Sequence, residues 1–197
     1  METKRLFIGV GFSDEFIKAT EIWVKKIKKS ADQKETALKW ALPTNYHVTL
    51  VFLGDTLIDQ IPVIEEKMRE AARAHSAFKI KVRGIGGFPT VNQARVIYLG
   101  VQRSQAILDL QSDLEGKLLT DDKIEHDYVP HLTLARLRNP KSCRDLLSPF
   151  GGIDLGKQSV SSIRLYSSIL SNGYPIYELI SEIKLKPPTP AEDEVIY

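Results

Sequence analysis

A single cysteine, Cys143, is all the thiol chemistry this sequence holds. That excludes an internal disulfide, and without a CxxC partner it excludes a cysteine-built zinc site. Charge of one sign is also missing: 27 Lys and Arg stand against 25 Asp and Glu, a formal net charge of +2. A histone-like grip on duplex nucleic acid is thereby excluded, although a local basic cleft is not, because net charge says nothing of distribution. No apolar run reaches the roughly 18 residues of a membrane span. The opening "METKRLFIGVGFSDEF" has only a short apolar stretch and an early acidic residue, unlike a signal peptide. The expectation is a cytoplasmic protein. With 43% apolar and 26% charged residues, the chain has an ordinary globular balance and enough length for a sizeable core.

What is present is organised in two cycles. "RLFIGVGF" reads as a strand, and Ser13 then stands where a helix N-cap belongs, with Asp14 and Glu15 in the first turn. Phe16, Thr20, Trp23 and Ile27 recur at helical spacing, and Lys25, Lys26, Lys28 and Lys29 crowd the far end, as the helix dipole favours. "ALKWAL" and "YHVTLVFLG" read as strands, 59–75 as a helix and "FKIKVRG" as a half-buried strand. A second cycle follows. "ARVIYLGV" is a strand, Ser104 a candidate cap, and Ile107, Leu110, Leu114 and Leu118 form one helical face. Near the end, two strands flank an Asn-Gly turn at 172–173. Residues 1–186 form one domain in this reading, and 187–197, rich in proline and acid, a loose tail.

Each cycle ends in the same words. "HVTL" begins at 47 and "HLTL" at 131, 84 positions on. On a strand, residues i and i+2 share a face. His47 and Thr49 therefore oppose Val48, Leu50 and Phe52, and His131 and Thr133 oppose Leu132 and Leu134. Two such strands about an approximate two-fold axis would present two imidazoles and two hydroxyls to one cleft. With an unperturbed pKa of about 6.5, one ring can be neutral while the other is protonated, which suits acid–base chemistry on one substrate. The hydroxyls can donate to non-bridging phosphate oxygens. The chemistry that fits is attack on a phosphodiester, such as a cyclic phosphate, without a metal. A lone His-x-Thr on a strand is ordinarily structural; the duplication in matched context argues otherwise. His75 closes a helical face and reads as structural. His126 and His131 lack a visible third ligand for zinc.

The motifs resemble the 2H phosphoesterase superfamily, and within it the bacterial and archaeal RNA 2′,3′-cyclic phosphodiesterases, or 2′-5′ RNA ligases of the LigT type. The resemblance covers about residues 4–186. It rests on "RLFIGV", "PTNYHVTLVFLGD", "GGFPTVNQARVIYLGV", "VPHLTLARLR" and "IRLYSSILSNGYPIYELISEIKL", in that order. It implies a bilobal α+β fold, each lobe an antiparallel sheet with outer helices and the active site between them. It also implies hydrolysis of RNA 2′,3′-cyclic phosphate ends to 2′-phosphate, with possible reverse 2′-5′ joining and no cofactor or metal. Carried over by position, His47 is the acid toward O3′, His131 the base toward water, and Thr49 and Thr133 hold the phosphate. Arg136 matches the arginine of "HLTLAR" that contacts phosphate. On a regular strand, however, it stands an odd number of positions from His131 and faces away unless a bulge re-aims it.

The chain departs from the pattern in the polar stretch within "KKSADQKETALKW" and in the arginine-poor "TVNQAR". Phe12 and Tyr46 are the aromatic candidates for stacking on a base. The expected partner is RNA or a nucleotide with a 2′,3′-cyclic phosphate, acted on by a monomer. Two alternatives stand beside this reading: a phosphodiesterase of small nucleotides, and a module that binds RNA without turning it over.

Overall fold

The alternation that marks both motif segments as strands also joins the molecule at its centre. A computed structural model describes residues 2–119, 127–171 and 174–188. Its strands are β1 (Thr3–Gly11), β2 (Lys39–Trp40), β3 (His47–Leu57), β4 (Phe78–Phe88), β5 (Ala94–Val101), β6 (His131–Lys141), β7 (Asp154–Val160), β8 (Ser162–Ser171) and β9 (Tyr174–Lys184). Among the described residues the helices are α1 (Asp14–Gln33), α2 (Ile61–Ala74), α3 (Gln105–Leu118) and the short α4 (Arg144–Leu147). The strands run in the order β7-β4-β5-β6-β3-β1-β8-β9, with β2 against β6, and every pairing between them is antiparallel. This is the expected α+β architecture, in two halves: β3-β1-β8-β9 and β6-β5-β4-β7. The halves meet where Val48 pairs with Leu132. These are equivalent residues of the two motifs, so the pseudo-two-fold axis passes through that pair.

Side chains on one face of the strands build the core. Leu6, Ile8, Val48, Leu132, Leu134 and Leu165 are buried together with Phe16 and Ile27 of α1, Met68 of α2 and Leu110 and Leu114 of α3. The helices do not simply cover their own halves. Helix α1 follows β1, yet its backbone comes close to β7 and α4 of the other half; α3 follows β5 and approaches β3 and α2. Apolar area removed from water by these helices, at about 25 cal/mol per Å², thus ties the two halves to each other.

Several expectations are corrected. The buried face of α1 is Phe16, Thr20, Val24, Ile27 and Ala31, with Trp23 only partly covered. The helix continues to Gln33, so Lys25 to Lys29 lie before its last turn, which holds no basic residue. Lys26 and Lys28 instead rest over the rings of Trp23 and Trp40, at 4.5 and 5.3 Å. Ser13 does cap α1, accepting from the Phe16 amide at 3.3 Å. Ser104 stands at the N-cap of α3 but makes no capping bond, and its hydroxyl is buried without a hydrogen-bond partner among the described residues. Strand β7 and helix α4 had no counterpart in the sequence reading. His126, the Asn172–Gly173 turn and residues 189–197 lie outside the described residues.

Where β1 crosses β3, a Cβ on residue 9 would lie 2.7 Å from the Val48 carbonyl oxygen and 3.4 Å from Cδ2 of His47. Only glycine fits there without moving backbone. Gly9→Ala is expected to cost about 1–3 kcal/mol of stability, as overpacking typically does. Urea denaturation of the variant beside the wild type measures it; an unchanged midpoint would mean that β1 and β3 separate without cost.

Candidate active site

The two motif strands carry the same irregularity. Along β1 and β3, Ile8 pairs with Val51 and Gly9 with Thr49, so Leu50 is an extra residue on β3. Along β5 and β6, Ile97 pairs with Ala135 and Tyr98 with Thr133, so Leu134 is extra on β6. Such bulges shift which face the following residues occupy. Burial records the shift identically in both strands. His and Thr are half-buried at the first and third positions, the second, fourth and fifth are buried, and the sixth is exposed. The sixth residues are Phe52 and Arg136. Both therefore turn to the face of the histidines and line the same cleft. Arg136 reaches the cleft by the bulge that a regular strand would have denied it. Phe52, expected on the apolar face with Val48 and Leu50, is instead 50% exposed, with the Arg5 guanidinium 4.8 Å from its ring centre.

The cleft has a volume of about 400 Å³ and brings together His47, Thr49, His131, Thr133 and Arg136. That is within the range of small-molecule sites, roughly 300–1,000 Å³. Each imidazole is held in the same way. His47 donates from Nδ1 to the Asn45 carbonyl at 2.6 Å, and His131 from Nδ1 to the Val129 carbonyl at 2.8 Å. A carbonyl oxygen only accepts, so Nδ1 carries a proton in both rings, and in the neutral form Nε2 is the basic nitrogen. The Thr49 hydroxyl lies 3.0 Å from Nε2 of His47 and donates to it when the ring is neutral. Asn45 is itself fixed, because its side-chain amide donates to the Pro175 carbonyl at 2.7 Å. This explains the turn "PTN" before the first histidine: it closes a short 3₁₀ turn and places the carbonyl that sets the ring. The Tyr128 hydroxyl donates to the Thr49 carbonyl at 2.9 Å, bracing the approach to β6 against β3.

Aromatic rings wall each imidazole. Phe7 and Tyr177 lie 4.8 and 5.1 Å from His47, between ring centres. Phe88 and Tyr98 lie 4.8 and 5.5 Å from His131, stacked on one another at 4.2 Å. Gly86 makes room for that stack, since a Cβ there would be 2.7 Å from the Tyr98 ring. Tyr46 and Phe12 are not cleft residues. Tyr46 faces the opposite side and donates to Glu21 at 2.5 Å, while Phe12 stacks on Phe16 at 4.3 Å. Strand alternation beside His47 held the signal for Tyr46. No sequence signal marked Phe7, Trp40 or Tyr177 as cleft residues, because they come from strands that meet only in the fold.

Burial pushes the His47 pKa from 6.5 down to about 4, with smaller contributions from His131 and Arg136 across the cleft. The Asn45 carbonyl, which favours the charged ring, only partly opposes this. Among the described residues, no three His, Cys, Asp or Glu side chains gather as a metal site. His75, as expected of a structural residue, pairs with Asp113 at 3.1 Å between α2 and α3.

A family model described as the 2′-5′ RNA ligase superfamily matches residues 17–168. The chain belongs to this superfamily. It is 33% identical over 177 residues to the RNA 2′,3′-cyclic phosphodiesterase of Methanothermobacter thermautotrophicus, covering 88% of this chain and 94% of that one. The protein of the same description from Aquifex aeolicus is 31% identical over 191 residues, covering 94% and 99%. Among solved structures, TT0787 of Thermus thermophilus superposes with a TM-score of 0.75 at 23% identity, over 94% of this chain and 100% of that one. E. coli LigT complexed with 3′-AMP gives 0.71 at 20% identity, over 94% and 99%. Superfamily membership and the relatives described as RNA 2′,3′-cyclic phosphodiesterases bear out the resemblance read from the motifs, and the likeness to LigT shows the fold. Among the described residues no helix is long and apolar enough to cross a membrane.

Two measurements follow from the electrostatics. By NMR, the His47 ring is expected to titrate near pH 4 in the free protein, and to move upward in Arg136→Ala, where one repelling cation is gone. A midpoint near 6.5 in the wild type would refute its desolvation. The linkage has a definite sign: between pH 6.5 and about 4 the unfolded chain binds a proton at His47 that the folded protein does not. Folding stability is therefore expected to decline as pH falls through that window. The slope should be shallower in His47→Asn, as read by denaturant midpoints at each pH.

Proposed function

We propose that this protein hydrolyses RNA 2′,3′-cyclic phosphate ends to 2′-phosphate, by acid–base catalysis between His47 and His131. The observation that carries the reading is the pair of imidazoles anchored through Nδ1 on bulged strands of matching pattern, at one cleft. The curated relatives described as RNA 2′,3′-cyclic phosphodiesterases support the substrate class.

In the proposed step, the cyclic phosphate lies between the rings. His131 Nε2 takes a proton from water as its oxygen bonds to phosphorus in line with O3′. The P–O3′ bond breaks, and protonated His47 gives its Nε2 proton to O3′, leaving the 2′-phosphate. Thr49 and Thr133 donate to the non-bridging oxygens, and Arg136 neutralises their charge in a geometry suited to bidentate contact. A 5′-hydroxyl in place of water would give a 2′-5′ linkage by the same bond changes, which is the joining reaction. His47 is neutral near pH 7 in the free protein, so its acid form depends on the anion; the phosphate's negative charge supplies the stabilisation that burial removes. No residue in this scheme requires a metal or cofactor. One chain, residues 1–186, supplies every group, as a monomer in the cytoplasm where RNA ends are processed.

The test is an oligoribonucleotide ending in a 2′,3′-cyclic phosphate, incubated with the protein in EDTA. A 2′-phosphate product is expected, with turnover in His47→Ala and His131→Ala lower by about 10²–10⁴ each. A 3′-phosphate product would reverse the leaving group. Full activity in either variant would remove the two-histidine mechanism. Turnover of small cyclic nucleotides but not RNA ends would select the small-nucleotide alternative, and binding without product the non-catalytic one.

A further inference from the structure

The two halves repeat one another in backbone, so side chains that break the repeat show how the site is handed. One is Arg136, which stands where the other half has Phe52. Another is Tyr177 on β9. Strand β9 holds the edge of its half as β7 holds the edge of the other, and β7, with the sequence DLGKQSV, carries no aromatic residue. Tyr177 therefore has no counterpart in the repeat.

The fold brings this ring to the cleft in a definite way. The Pro175 carbonyl accepts from the Asn45 side chain at 2.7 Å, which draws the start of β9 over the turn before His47. Two residues on, Tyr177 shares the strand face of Pro175 and lines the cleft with it. Its ring stands edge-on to Phe7 and His47, with 72° and 87° between planes, so both neighbours fix its direction. Other phenols are engaged by protein: Tyr128 donates to the Thr49 carbonyl, Tyr46 to Glu21, and Tyr166 bonds Arg164. Tyr98, beside His131, does not line the cleft. The Tyr177 hydroxyl makes no hydrogen bond to another described residue and is not enclosed by protein. Arg136, from the opposite half, bears on that hydroxyl as it does on His47. Burial raises the Tyr177 pKa more than Arg136 lowers it, so near neutral pH the phenol keeps its proton and can donate.

We infer that Tyr177 is a further phosphate-binding residue of this site, its hydroxyl donating to a non-bridging oxygen opposite Arg136, beside His47. The inference rests on the proposed phosphodiesterase reading and deepens it. A phenol donor and a guanidinium that face each other across a cleft share one kind of partner, a group that accepts from both. Phosphate oxygens are such a group. Their charge grows as water adds to phosphorus, so the contact strengthens toward the transition state. The choice of a phenol also has a physical reason. A second cation on this side would push the His47 pKa further down and disable the acid, whereas a neutral donor holds the oxygen without that cost.

Tyr177→Phe keeps the ring against Phe7 and His47 and removes the hydroxyl alone. Its kcat/KM on an oligoribonucleotide ending in a 2′,3′-cyclic phosphate is expected to fall about 10- to 100-fold, the usual effect of losing a hydrogen bond to a charged group. Inorganic phosphate, titrated into the substrate-free protein near neutral pH and followed by NMR, is expected to bind about tenfold more weakly. The His47 ring should still titrate near pH 4, because its wall is unchanged. A ring that serves only as a wall predicts otherwise: kcat/KM and phosphate affinity within about twofold of the wild type. That result overturns the inference. So does a loss of rate with a shifted His47 midpoint, or any loss of rate at unchanged phosphate affinity. If the wild type turns over no cyclic phosphate, the functional reading fails by itself, and phosphate binding decides Tyr177. Weaker binding in the variant then supports it; equal binding, or none in either protein, overturns it.

Discussion

One backbone pairing, Val48 with Leu132, holds the two motif strands side by side, and the cleft depends on it. It is the single pair of residues matched directly between β3 and β6, whereas each strand is paired along most of its length with β1 or β5 on its other side. The two strands touch at the motifs and then diverge. The divergence opens a cleft, and the contact fixes where it opens. Both residues of the pair are fully buried, so the apolar face of the motif that makes the joint is the complement of the polar face that makes the site. Alternation does both jobs with the same few residues. Helices α1 and α3, each drawn toward the half opposite its own leading strand, resist any hinge at that joint.

The local alternation of "HVTL" and "HLTL" was legible without coordinates, and so were their duplication, most strand centres and the capping of α1 by Ser13. What escaped was set by partners remote in sequence. A bulge is a mismatch of count between two strands, so Leu50 and Leu134 become extra residues only against β1 and β5. For that reason Phe52 was placed on the wrong face, while Arg136 could be admitted only on the condition that a bulge existed. Tyr46 was misread differently: it adjoins His47, and adjacency on a strand means the opposite face. The end of α1 lay hidden because a polar run such as "KKSADQ" carries little apolar periodicity, yet the buried Ala31 keeps it helical. Cleft walls from β1, β2 and β9 had no local mark at all.

The symmetry of the backbone is not a symmetry of charge. Equivalent positions hold His and His, Thr and Thr, but then Phe52 and Arg136. The cation of one half therefore faces the imidazole of the other. Arg136 bears on His47 and also on Tyr177, both from the opposite half, and His131 bears on His47. Two rings anchored alike by Nδ1 would otherwise be interchangeable. The unequal sixth residue, together with the depth at which His47 lies against Phe7 and Tyr177, distinguishes them.

That inequality couples protonation to occupancy. In the free protein, burial and, to a lesser degree, the facing His131 and Arg136 hold His47 neutral down to about pH 4, so near neutral pH its Nε2 has no proton to give. An anionic phosphate between the rings reverses the sign of the local field and raises that pKa. By linkage, whatever the anion adds to the proton's affinity, the proton adds to the anion's. In the proposed reaction, binding at neutral pH is then accompanied by proton uptake, and His47 becomes the acid as the leaving oxygen needs it. A site built this way spends little of its time as an imidazolium exposed to competing anions. In the proposed mechanism, the charge of the substrate itself arms one of two otherwise matching histidines.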